Sequence, residues 1–132
     1  MVKLEGTYEL VSQENYLEFL KSLGVPDAEA EKQSQLKEPI TIKSVSDSSI
    51  VMSYSGQEVA FPVGKEYEYS IRNKHTIWTV ATISGDTITF KTKLNADGSL
   101  TEEKVIKITD SGLTSTTTSS KGTKAVRQYK RV

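Results

Sequence analysis

TIWTVATISGDTITFKTK, residues 76–93, decides the fold. Two runs rich in Thr, Ile, Val and aromatic residues flank Ser84-Gly85-Asp86. Such residues suit a pleated, half-buried surface, and a Ser-Gly-Asp cluster marks a tight turn. The stretch therefore reads as a hairpin with strands near 76–83 and 86–93. The same rhythm continues in both directions. Upstream, strands are expected near 40–45, 49–55, 57–62 and 66–72, divided by Ser46-Asp47-Ser48, Ser55-Gly56, Val63-Gly64 and Asn73-Lys74. Downstream, strands near 99–109, 112–120 and 123–131 follow Asn95-Ala96-Asp97-Gly98, Asp110-Ser111-Gly112 and Lys121-Gly122. Thr114 to Ser120 is rich in Ser and Thr and fits a polar strand.

The period changes only near the N-terminus. Glu5 to Val11 alternates weakly and reads as a first strand. Tyr16, Leu17, Phe19, Leu20 and Leu23 then follow helical spacing, with Ser12 as N-cap and Gly24 as C′ residue. Pro26 opens a second helix over roughly 26–36, and Asp27, Glu29 and Glu31 in its first turns favour the macrodipole. Its apolar content is thin (Ala28, Ala30, Leu36), so it is expected to lie on the surface and bury little. The result is an all-β fold of ten strands joined by tight turns, with the two helices inserted between strands one and two. Such a meander closes most simply into an antiparallel up-and-down β-barrel.

Composition bounds the function. The 132 residues fit one domain, residues 1–132, with no linker or repeat. Lys and Arg number 17 against 17 Asp and Glu, and no basic stripe stands out, so a nucleic-acid partner is not expected. With no cysteine there is neither a disulfide framework nor a thiolate metal site. The N-terminus carries no apolar signal-peptide core, no run is long enough for a membrane helix, and no Asn-x-Ser/Thr site occurs, so a cytoplasmic location is expected. Only 36% of residues are apolar, which suggests a wet interior in place of a solid core.

No catalytic constellation emerges, and neither a metal nor a cofactor is expected. His75 is the sole histidine and follows a turn; G-x-S-x-G, H-E-x-x-H and a phosphate loop are all missing. Asp27, Glu29 and Glu31 read as a solvated helix start, and Glu66 and Glu68 as strand patterning between Tyr67 and Tyr69. Trp78 reads as a packing residue. Alternation assigns faces: Ile50, Met52 and Tyr54 share one, as do Ile106 and Ile108, and as do Ala125, Arg127 and Tyr129. The last strand alone leaves open whether Arg127 and Tyr129 form a solvent-facing strand end or point inward. An inward Arg127 needs a partner, because an unpaired buried charge is very costly.

The whole chain resembles the intracellular lipid-binding proteins, specifically the fatty-acid-binding proteins. The resemblance rests on Gly6-Thr7-Tyr8-Glu9-Leu10, Asn15-Tyr16 followed by Phe19 to Val25, Pro39, Phe61-Pro62-Val63-Gly64-Lys65-Glu66-Tyr67, and the closing Arg127-Gln128-Tyr129. Each motif is weak alone; their order and spacing are specific. Ser12-Gln13-Glu14-Asn15 and Gly24-Val25-Pro26 are similar to the liver and bile-acid-binding branch, and Tyr129 to the heart and adipocyte branch. Departures are Leu17 where the family has an acidic residue, Tyr8 for the usual tryptophan, and Ile106 where many members carry a second interior arginine, with Lys104 and Ile108 on its face.

The resemblance implies a calycin-like barrel with a helix-turn-helix lid, a water-containing cavity and a lipid cargo. It assigns the lipid carboxylate to Arg127 and Tyr129. The tail is then expected against Met52, Tyr54, Phe61, Ile106, Ile108 and Phe19. Burial at ~0.8 kcal/mol per CH₂ gives a long tail roughly 10 kcal/mol gross, against ~1.5–3 kcal/mol for a charged hydrogen bond. The tail dominates affinity, and Arg127 selects an acid headgroup. The implied portal comprises residues 15–36, Ser55-Gly56-Gln57 and Asn73-Lys74-His75, where Lys21, Lys32 and Lys37 offer transient contact with anionic membrane lipids. The expected partner is a long-chain fatty acid or similar amphipathic lipid, bound by a monomer. Carriage of retinoid or bile-salt-like ligands, or a β-barrel that recruits another protein, remain as alternative readings.

Overall fold

The computed structural model describes residues 4–24, 26–35, 39–54, 57–71, 75–94 and 97–132. Ten strands and two helices follow in the order β1 (Gly6–Glu14), α1 (Tyr16–Ser22), α2 (Asp27–Gln35), β2 (Ile40–Val45), β3 (Ser49–Tyr54), β4 (Gln57–Pro62), β5 (Glu66–Ile71), β6 (His75–Ser84), β7 (Thr87–Lys93), β8 (Thr101–Ile108), β9 (Gly112–Ser119) and β10 (Lys124–Arg131). They form one antiparallel sheet in the order β4-β3-β2-β1-β10-β9-β8-β7-β6-β5. β1 pairs with both β2 and β10, so the first and last strands join the two halves of the meander. The sheet curls until β4 and β5 face each other. These two share no ladder; a short parallel bridge between Val63 and Ala81 and the Gly64 N–H donating to the Ala81 carbonyl at 2.8 Å span the approach. The barrel is nearly closed, with the helical pair between its first two strands as expected.

Most boundaries fall within two residues of the sequence reading; the one between β1 and α1 differs by more. β1 does not stop at Val11 but continues to Glu14, and its register against β10 shifts between Leu10 and Ser12. Helix α1 is therefore preceded by Asn15, not capped by Ser12. Asn15 adopts φ 61°, a left-handed conformation that asparagine tolerates better than most residues, and its side-chain amide donates to the Lys124 carbonyl at 2.8 Å. A bulge absorbs an extra residue and bends the strand, which periodicity alone does not reveal. Val11, at this shift, is an exposed apolar residue. The other end of α1 matches expectation: Gly24 takes φ 89° and its N–H donates to the Lys21 carbonyl.

Two apolar clusters result. The larger fills the base of the barrel with Tyr8, Ile42, Ile50, Met52, Phe61, Phe90, Ile106, Ile108 and Leu113. The smaller joins the lid to the barrel wall through Phe19, Leu20, Ala30 and Ala125. Ala30 is fully buried, so α2 joins this cluster despite its polar sequence, and the Gln13 amide of β1 donates to its Ser34 carbonyl.

Candidate functional site

Between the two clusters lies a polar belt on the inner wall. Alternation along β9 turns Ser115, Thr117 and Ser119 inward, and all are buried. β6 and β7 contribute Thr79 and Thr92, whose hydroxyl oxygens lie 3.1 Å apart. β8 turns Glu102, Lys104, Ile106 and Ile108 inward, while Glu103 and Lys107 are exposed. Glu102 and Lys104 are surrounded by protein yet keep accessible surface. Glu102 borders a concavity of about 640 Å³ together with Thr92 and Ser119.

β10 settles which of its faces points in. Ala125 and Tyr129 are buried, Lys124, Gln128 and Lys130 are exposed, and Arg127 lies with the buried pair. Its register sets Arg127 opposite Ser115 of β9 and Gln13 of β1, and Ser115 in turn faces Ile106. The Arg127 guanidinium carbon stands 4.3 Å from the ring centre of Tyr16 on the lid and 5.6 Å from that of Tyr129. Both distances suit cation–π attraction. Its Nε is buried with no hydrogen-bond partner among the described residues. Rings approaching a guanidinium from its faces leave the in-plane N–H donors directed elsewhere. The arrangement is a caged cation with donor capacity to spare, suited to a planar anion.

The surrounding ionisable groups respond to this enclosure. Burial raises the Tyr129 phenol above its ordinary value; Arg127 opposes the rise and Tyr16 adds to it. Tyr129 therefore stays a protonated donor at neutral pH. Burial lowers the Lys104 ammonium, with Glu102 opposing and Arg127 assisting. Burial likewise raises the Glu102 carboxyl, and Lys104 opposes that shift.

The sequence-derived residues separate into groups. Arg127 and Tyr129 come together on the inner wall. Met52, Phe61, Ile106 and Ile108 face inward within the basal cluster. Phe19 belongs to the lid cluster, stacked on Tyr16 with ring centres 6.4 Å apart. The side chain of Tyr54, and the portal positions Ser55, Gly56, Asn73 and Lys74, lie outside the described residues, as do Lys37 and the side chains of Gln57 and His75. Trp78 is half-buried on the outer face; it borders the same concavity of about 640 Å³, lined both by outward residues such as Glu66, Lys91 and Glu103 and by the inward Thr92, Glu102 and Ser119. Sequence reasoning put Lys104 on the inner face but gave it no role, and missed Glu102 and Tyr16. The two-residue period carried the signal for Glu102; the Tyr16 contact depends on where the lid docks.

No family model matches the chain. Among curated proteins it is similar to fatty acid binding protein 1-B.1 of Danio rerio, 30% identical over 100 residues covering 74% of this chain and 77% of that protein. It is also 30% identical to the liver-type fatty acid-binding protein of Takifugu rubripes over 104 residues, 76% of this chain and 82% of that one. Among solved structures, the fatty-acid-binding protein of Manduca sexta superposes with a TM-score of 0.82 at 28% identity, over 98% of this chain and 99% of that one. With this agreement of sequence, strand order and lid, the chain belongs to the fatty-acid-binding protein family.

Proposed function

We propose that this protein binds a long-chain fatty acid inside the barrel and carries it through the cytoplasm as a monomer, the carboxylate held by Arg127 and Tyr129. The Arg127 Nε carries this reading: it is buried, faces the interior and has no hydrogen-bond partner among the described residues. Arg131, on the same strand face, provides the contrast, since it donates to the carbonyls of Glu5, Thr109 and Asp110. One arginine is spent on the fold; the other keeps a donor in reserve. A carboxylate accepting from Arg127 and from the Tyr129 hydroxyl supplies what that donor lacks. The tail then runs toward the basal apolar cluster of Met52, Phe61, Ile106 and Ile108, which would have to part around it. Exposed Lys32 and half-buried Lys21 on the lid offer contact with anionic membrane surfaces during transfer.

Arg127→Ala tests the assignment. Loss of one charge-assisted interaction is expected to weaken oleate about tenfold or more while oleyl alcohol, with the same tail, changes less than about twofold. Calorimetric titration of both ligands decides it; equal losses would rule out a headgroup role for Arg127.

A further inference from the structure

The interior holds a second cation, and its placement relative to Arg127 is fixed by register. Lys104 of β8 stands opposite Thr117 of β9, and Thr117 stands opposite Ala125 of β10. Arg127 is the next inward residue along β10. Two strand spacings across and two residues along put the Cα atoms of Lys104 and Arg127 about 12 Å apart. Two long side chains on the inner wall cover that gap, and the Arg127 charge acts on Lys104. Glu102, one inward position before Lys104 on β8, supplies the opposing charge. Along the belt between base and lid, the described inward side chains of β8, β9 and β10 carry the charges of Arg127, Lys104 and Glu102, two positive and one negative. A monocarboxylate brings this enclosure to neutrality, and a neutral lipid does not.

We infer that Lys104 is a second headgroup-positioning cation, shared between Glu102 in the empty barrel and the ligand carboxylate in the filled one, so that Glu102 competes with the ligand and sets the affinity for acids. This deepens, and rests on, the assignment of the carboxylate to Arg127. Ile106, in register with Ser115 and through it with Arg127, is apolar, so the second charge enters from one inward position nearer the lid. Glu102 on its own strand and Arg127 on β10 act on Lys104, and Tyr16 of α1 and Tyr129 of β10 gather at Arg127; β7 and β9 present Phe90, Thr92, Thr117 and Ser119, which do not titrate. Enclosure holds the ammonium of Lys104 below its ordinary range. An arriving carboxylate favours its charged form, so binding at alkaline pH draws a proton from solution.

The test titrates oleate and oleyl alcohol into wild type, Lys104→Met, Glu102→Gln and Arg127→Ala. Lys104→Met is expected to weaken oleate about tenfold, and Glu102→Gln to tighten it several-fold, with the alcohol within about twofold of wild type for both. At about pH 9, near the ordinary lysine range, calorimetry in two buffers of different ionisation enthalpy is expected to show proton uptake with oleate in wild type and none in Lys104→Met. The gain in Glu102→Gln cannot arise from misfolding, so it decides the matter even if Lys104→Met does not fold. If Glu102→Gln leaves oleate unchanged or weaker, Lys104 is not shared and the inference is overturned, whereas the assignment to Arg127 stands as long as Arg127→Ala still discriminates against the acid. If Arg127→Ala affects acid and alcohol alike, that assignment fails and takes the inference with it.

Discussion

Arg127 and Arg131 are four residues apart on one face of β10, and their different surroundings show how far a strand pattern can be read. Alternation groups both with Ala125 and Tyr129, and the sequence made that shared face legible; that it points inward followed only from the resemblance and is seen in the burial of Ala125 and Tyr129. It did not reveal depth. Arg131 sits at the base, 5.0 Å over the Tyr8 ring, and ties the chain start at Glu5 to the β8–β9 turn at Thr109 and Asp110. Arg127 lies two inward positions nearer the lid, against the rings of Tyr16 and Tyr129. Arg131→Met is accordingly expected to cost about 2 kcal/mol of stability, seen as a lower urea midpoint, while oleate affinity stays near wild type. Glu102, and any role for Lys104, were hidden for a related reason. An alternating strand is expected to turn apolar residues inward, and two charges there make sense only once Arg127 is known to approach from two strands away.

At the level of elements, β9 and β10 form the wall that presents the site, and their approach is unusually tight at one point. A Cβ on Gly112 would lie 2.0 Å from the Tyr129 carbonyl oxygen and 3.0 Å from the Lys130 Cα. Backbone on backbone cannot give way as a side-chain tip can. Gly112→Ala is therefore expected to cost on the order of 3 kcal/mol by urea denaturation and to weaken oleate in the protein that remains folded, because the displaced carbonyl belongs to Tyr129. The strands themselves were readable, since Ser-Gly-Asp, Asn-Ala-Asp-Gly and Asp-Ser-Gly punctuate β-rich runs. The start of α1 was not. Ser12 has the chemistry of an N-cap, but β1 pairs with β10 through Glu14, and that tertiary ladder outweighs a local cap. The low apolar content of α2 was visible; that fully buried Ala30 anchors it was not.

For the molecule as a whole, the polar belt sets binding against stability. Glu102 is raised in the folded state, so its favourable contribution is present below the ordinary carboxyl range and is lost as pH rises through the folded value. Lys104 is lowered, so its favourable contribution is present above the ordinary lysine range and is lost as pH falls through the folded value. Both penalties coincide between the two shifted values. The double change Glu102→Leu with Lys104→Met is expected to stabilise the empty barrel by about 1–2 kcal/mol at neutral pH. The advantage should shrink toward both acid and alkaline conditions, as followed by thermal melts across pH. Low apolar content in the sequence pointed to a wet interior, and the polar belt is its counterpart; which charges occupy it required the register. Finally, β4 and β5 run side by side without exchanging ladder bonds. A hoop fastened all the way round can widen only by breaking a rung, whereas this one can yield along its unfastened seam. If the proposed carriage holds, that seam is where the girth would give, and cargoes of different thickness would share the Arg127 anchor.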